Sequence, residues 1–129
     1  MIGSNSYNYI NILDKASDAS WVRNEVITNN IANVDTPNYK RKDIVFEDYL
    51  ARELEGSGSL DRKVANARLS SLNATGYTDR VDLSYRLDGN NVDIDTENAA
   101  LAENQIRYYT LLDAMTQEFS RIRTALSSN

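Results

Sequence analysis

The sequence contains no histidine and no cysteine, and has one proline and five glycines in 129 residues. Without His the chain lacks the side chain whose ordinary pKa lies nearest neutrality. Without Cys it lacks both a thiolate nucleophile and a soft metal ligand. Histidine-based triads, cysteine nucleophiles and the common zinc sites are excluded, and so are disulfides, so the fold suits a reducing or an oxidising compartment equally. Apolar bulk is also scarce: 41% of residues are hydrophobic, with two Phe and one Trp against eight Tyr. No run approaches the about 18 consecutive apolar residues that a spanning helix needs. The first residues lack a basic start, an apolar run and a small-residue cleavage site, so no cleaved secretory signal is expected. Basic side chains number 14 against 19 acidic ones, a formal net charge of −5, which argues against a nucleic-acid partner.

What is present reads as one domain, residues 1–129, mainly α, with long terminal helices and a polar, partly irregular middle. At the C-terminal end, Leu101, Gln105, Tyr108, Leu112, Met115, Phe119, Ile122 and Leu126 step alternately by four and three residues. That heptad seam predicts a helix over about 95–126 that packs lengthwise, coiled-coil fashion, against other helices. Asp95 is the expected N-cap, with Glu97 in the first turn and Arg121 and Arg123 near the end, where the helix dipole favours each sign. At the other end, residues 6–33 carry a broader stripe of Ile12, Leu13, Ala16, Ala19, Val22, Val26, Ile27 and Ile31, interrupted by Arg23, Asn30 and Asn33. Asn30 has two readings, a solvated surface amide or a buried one whose every hydrogen bond must be met.

Pro37 fixes its own φ and drives Thr36 out of the helical region, so the first helix stops before it and Pro37-Asn38 forms a β-turn within residues 34–43. Ile44, Val45, Phe46, Tyr49, Leu50 and Leu54 fall at helical spacing. Gly56-Ser57-Gly58-Ser59 reads as a flexible linker. Within the variable segment 44–94, a short helix is expected at 60–69, a strand where Val81, Leu83, Tyr85 and Leu87 alternate, and a turn at Asp88-Gly89-Asn90-Asn91. Apolar residues are too sparse there for a separate core, so this segment either packs on the terminal helices or awaits a partner.

No catalytic, cofactor-binding or metal-ligating set emerges. Asp93, Asp95 and Glu97 placed at calcium-loop positions put Asn98 where the sharp-turn Gly belongs and Asn104 where the bidentate Glu belongs. Gly56-Ser57-Gly58 lacks the Lys and flanking elements of a phosphate loop. Lys40-Arg41-Lys42 is too short for a nucleic-acid or membrane patch. The two apolar stripes remain, and their spacing fits either a hairpin closing on itself or two surfaces that bury themselves against other subunits.

The stretch Asn29-Asn30-Ile31-Ala32-Asn33-Val34-Asp35-Thr36-Pro37-Asn38-Tyr39-Lys40 resembles the N-terminal signature of the bacterial flagellar axial proteins, the rod and hook family. In that family an Ala-Asn-x-x-Thr-Pro-x-Tyr turn ends the first helix, here carried by Asn30, Ala32, Asn33, Thr36, Pro37 and Tyr39. A second stretch, Asp88-Gly89-Asn90-Asn91-Val92-Asp93 with Ile94, Asp95, Thr96 and Glu97 behind it, followed by Leu101, Asn104 and Tyr108, is similar to the proximal-rod branch of the family, as is Asp43-Ile44-Val45-Phe46. Asn38 stands where the family often has Gly, and both tolerate positive φ.

The resemblance implies a non-enzymatic subunit of the flagellar basal-body rod, without cofactor, located in the periplasmic space and transmitting torque. Its partners would be other copies of itself, the rod proteins FliE and FlgC, and the flagellar type III export apparatus that carries it out without a cleaved signal. Leu101, Tyr108, Leu112, Met115, Phe119 and Ile122 would form its assembly seam. Phe46 and Leu50 fit the Phe-x-x-x-hydrophobic element read by the export gate, and burial of Phe46 in a short helix fits them equally. The runner-up function is a soluble helical adaptor or export chaperone of the same secretion system.

Overall fold

The computed structural model describes residues 2–79 and 86–127. In chain order it contains α1 (Ile2–Ala32), β1 (Lys42–Val45), α2 (Glu47–Glu53), α3 (Leu60–Asn66), a 3-10 turn (Leu69–Ser71), β2 (Thr75–Thr78) and α4 (Ile94–Ser127). The two terminal helices are as long as the stripes require. At about 1.5 Å per residue, α1 and α4 extend about 46 and 51 Å. Their contacts run in opposite order, Asn30 meeting Glu97, Ser20 meeting Asn104 and Ser17 meeting Met115, so they form an antiparallel hairpin.

The apolar core does not lie along that hairpin. Ile12 and Ala19 of α1 pack with Ile44 of β1, Phe46, Val64 of α3 and Leu72. Every buried member comes from α1 or the middle segment, which therefore folds onto α1. In α4 the buried residues are Glu97, Asn104 and Ile122, two of the three polar. Small side chains on the facing side of α1, Ser17 and Ser20, are buried and let the helices approach closely.

The middle segment differs locally from the sequence expectation. Ile44 and Val45 belong to a strand, not a helix: β1 pairs antiparallel with β2, Lys42 opposite Thr78 and Val45 opposite Thr75. β-branched side chains suit that pleat, and the helix starts only after Phe46, where Glu47 and Asp48 supply acids to its first turn. Ser59, expected in a linker, caps α3 by accepting from the Arg62 N–H at 3.3 Å, and that helix ends at Asn66. Val81, Leu83 and Tyr85 lie outside the described residues. The N-cap of α4 is Asp93, whose Oδ1 accepts from the N–H groups of Asp95 (3.0 Å) and Thr96 (3.4 Å); Asp95 is already inside the helix.

Candidate functional site

The two sequence motifs, Asn29 to Lys40 and Asp88 to Glu97, are one structure. The chain leaving α1 carries carbonyls that no helix bond satisfies, and here the second motif reaches those of the turn just beyond Ala32. Asn90, fully buried, donates from Nδ2 to the carbonyls of Asn33 (2.9 Å), Val34 (3.1 Å) and Thr36 (2.8 Å), while its Oδ1 accepts from Val92 N–H at 2.7 Å. Asn91 continues this latch between the two motifs: its Oδ1 accepts from Arg41 N–H at 2.7 Å and its Nδ2 donates to Asp79 O at 3.0 Å. Backbone bonds from Asn38 N–H to Asp88 O (2.8 Å) and from Asn91 N–H to Tyr39 O (3.3 Å) close it. Lys40 Nζ donates to Gly89 O.

The turn itself is as expected, with Tyr39 N–H donating to Thr36 O at 3.2 Å across Pro37 and Asn38. Asn38 has φ +61 and Gly89 +77. A Cβ on Gly89 would lie 2.5 Å from Asn38 Oδ1, so the positive φ favours glycine there and any side chain would also have to displace that of Asn38.

Asn30 takes the buried reading at 0% exposure. It acts as a side-chain strand partner for Lys42, accepting from its N–H at 2.9 Å and donating to its carbonyl at 2.8 Å. Asn30 also donates to Glu97 Oε2 at 3.3 Å and accepts from the Tyr39 hydroxyl at 3.2 Å, so every amide valence is met. Glu97, 1% exposed, receives Arg41 Nε at 2.6 Å, and Arg41 reaches Asp79 at 3.0 Å. Burial disfavours the Arg41 charge, but hydrogen bonds to Glu97 and Asp79 outweigh it and hold the guanidinium protonated, its pKa raised. Burial, with the Glu97 charge, raises the Tyr39 hydroxyl, which stays a donor.

A second ionic brace ties three helices together. Arg23 of α1 grips Glu47 of α2 with two bonds of 2.5 and 2.6 Å, and Arg107 of α4 reaches the same carboxylate at 3.0 Å. The Arg23 hydrogen bonds hold the Glu47 carboxyl below the usual glutamate range, against a smaller opposing effect of burial. Glu103 completes the brace, accepting from Arg107 at 3.2 Å.

The proposed seam is divided between inside and outside. Ile122 is buried, Met115 is half-buried with Sδ 3.6 Å from Ser17 Oγ, and Tyr108 stacks obliquely on Trp21 at 5.9 Å between ring centres. Leu101 is half-buried, whereas Leu112 and Phe119 are exposed, Phe119 at 52%. Tyr7, Trp21, Ile106, Tyr109 and Leu126 are exposed as well. Ile106 and Tyr109 lie off the heptad seam, so heptad spacing passed over them; their size and apolar character on an otherwise polar face was the available signal. Phe46 is in the core and Leu50 packs on its edge. Among the described residues no group of three or more acids, His or Cys could hold a metal ion, and no helix is long and apolar enough to cross a membrane.

A hairpin of long helices, locked by backbone and amide hydrogen bonds at one end and carrying large apolar side chains on its outer surface, is the build of a helical structural protein. A family model described as Flagella basal body rod protein matches residues 19–40, the end of α1 and the turn. The Flagellar basal body rod protein FlgB of Bacillus subtilis (strain 168) is 36% identical over 116 residues, 89% of this chain and 90% of the relative. FlgB of Borreliella burgdorferi is 34% identical over 132 residues, covering 94% and 92%. FlgB of Escherichia coli (strain K12) is 33% identical over 115, covering 82% and 83%. The chain belongs to the family of FlgB flagellar basal body rod proteins and is a structural subunit of that rod.

Proposed function

We propose that the subunit builds the rod by packing the outer faces of α1 and α4 against neighbouring subunits, with the latch fixing the helices in one register beforehand. The observation that carries this reading is the location of the core. It lies between α1 and the middle segment, so the outer aromatic and aliphatic side chains of α4 contribute nothing to it and remain in water. Exposed apolar surface of this extent on an ordered element marks an interaction face. On this reading the chain has no enzymatic role, its neighbours are further copies of itself with FliE and FlgC at the two ends, and it works in the periplasmic space. Export through the flagellar type III apparatus, without a cleaved signal, fits a chain that needs no disulfide. Because Phe46 is 4% exposed once folded, a gate that reads Phe46 and Leu50 would have to read them in the unfolded chain.

The test is to tag the chain and purify detergent-extracted basal bodies. A rod subunit co-purifies with them. A chain found only with cytoplasmic export substrates would instead be an adaptor or chaperone.

A further inference from the structure

Beside the latch, α1 and α4 enclose a small aromatic cleft of about 130 Å³. Trp21, Tyr108 and Tyr109 supply its rings, with Ser20, Asn24 and Gln105 around them. Trp21 and Tyr108 stand 5.9 Å apart, and Tyr108 and Tyr109 6.1 Å apart. Asn104, 3% exposed, forms the inner wall. Its Nδ2 donates to Ser20 O at 2.8 Å, while its Oδ1 has no hydrogen-bond partner. A buried acceptor without a donor is costly. Asp18 and Glu25, three residues before and four after Trp21 on the exposed face of α1, have no basic partner among the described residues. None of the lining residues is charged. Aromatic faces, with exposed carboxylates three residues before and four after Trp21 on the same face of α1, suit a cation, above all a planar guanidinium that can stack and pair at once.

The same chain carries such a group at a different place. Arg123 in the last turns of α4 is exposed and has no carboxylate partner among the described residues; it makes a long hydrogen bond to Ser120 Oγ at 3.4 Å. Phe119 and Leu126, four residues before it and three after, are exposed on the same side of the helix, which gives the arginine an apolar surround able to cover Trp21. Arg123 lies fifteen residues beyond Tyr108, about 22 Å along the axis at about 1.5 Å per residue. The two patches are therefore separate on one molecule.

We propose that the Trp21–Tyr108–Tyr109 cleft receives Arg123 of a second copy of this chain. The contact joins unlike patches, so it is heterologous and propagates from copy to copy instead of closing a dimer. It rests on the rod reading above and names which surfaces meet.

Charge reversal in cells tests it, with basal bodies purified from each strain. Arg123→Glu, and separately the pair Asp18→Arg with Glu25→Arg, are expected to lower incorporation of the chain at least tenfold, while the triple variant, with both signs exchanged, recovers a substantial part. Far-UV circular dichroism of each purified full-length variant must match the natural chain, since all three positions are exposed. Arg123→Glu incorporated at the natural level overturns the proposal, as does a triple variant no better than either parent. Loss with the acidic-pair variant alone assigns the cleft to a base on a different partner and also overturns it. Absence of the natural chain itself from basal bodies would defeat the rod reading first, a result distinct from all of these.

Discussion

Asn30, near the end of α1, donates a hydrogen bond of 3.3 Å to Glu97 in the first turns of α4, across 67 residues of sequence and with both side chains out of water. That bond joins the two halves of the latch, and it makes helix register depend on polar groups that tolerate little displacement. Angular preference is what distinguishes this contact from apolar packing.

Asn30→Ala leaves the Lys42 N–H and carbonyl and the Glu97 carboxylate short of partners in a buried site. Stability should fall by about 2 kcal/mol or more, read as a lower midpoint in urea with an unchanged slope. Asn30→Asp should be worse, because a second carboxylate would face Glu97 and could not donate to it.

Gly89→Ala should cost about 1–2 kcal/mol from the positive φ alone, with more from the contact of its Cβ with Asn38 Oδ1. Asn38→Gly removes that oxygen. In a double-mutant cycle by thermal unfolding, the alanine should cost less in the Asn38→Gly background, leaving the φ contribution. Equal costs in both backgrounds would show that the Asn38 side chain moves aside freely.

Acid should weaken the brace at Glu47. Its folded pKa lies below its ordinary value near 4.5, so the unfolded chain binds more protons and stability rises with pH across that interval. The contribution is complete above the ordinary glutamate pKa and is lost as pH falls through the depressed folded value. Glu47→Gln should flatten the stability profile in that acidic window. The carboxylate is partly exposed, so added salt should reduce the difference between the two chains.

Leu112→Glu places a charge on the outer face of α4, where the side chain is 38% exposed. The free chain should fold with nearly natural stability. Within a rod, the charge would be buried unpaired at each copy at a cost of several kcal/mol, so cells should express and export the chain yet fail to swim. Normal swimming would remove Leu112 from the assembly surface.

Much of this was legible in the residues. The seam from Leu101 to Leu126 and the stop at Pro37 placed both long helices within a few residues of where they lie, because periodicity and proline act locally. The strand Thr75–Thr78 was not legible: every residue in it is exposed, so no alternation marks it, and its partner lies some thirty residues away. Nor could the sequence decide the fate of Asn30. An asparagine on a helix is surface or core according to whether something arrives to bond it, and what arrives is the backbone of Lys42. The same holds for the seam, whose spacing announced packing without saying that Ile122 would turn inward and Phe119 outward.

The division of labour along α4 has a mechanical consequence. Hydrogen bonds and ion pairs fix the helix root between Asp93 and Arg107, whereas further along the contacts with α1 change in kind, Tyr108 lying on Trp21 and Met115 against Ser17. A beam held by directional bonds at its root and by packing beyond it converts a sideways force at the tip into a bending moment at the root. The latch is thus the fixed end of a lever, and the stiffness of the free arm is set by whatever lies beside it.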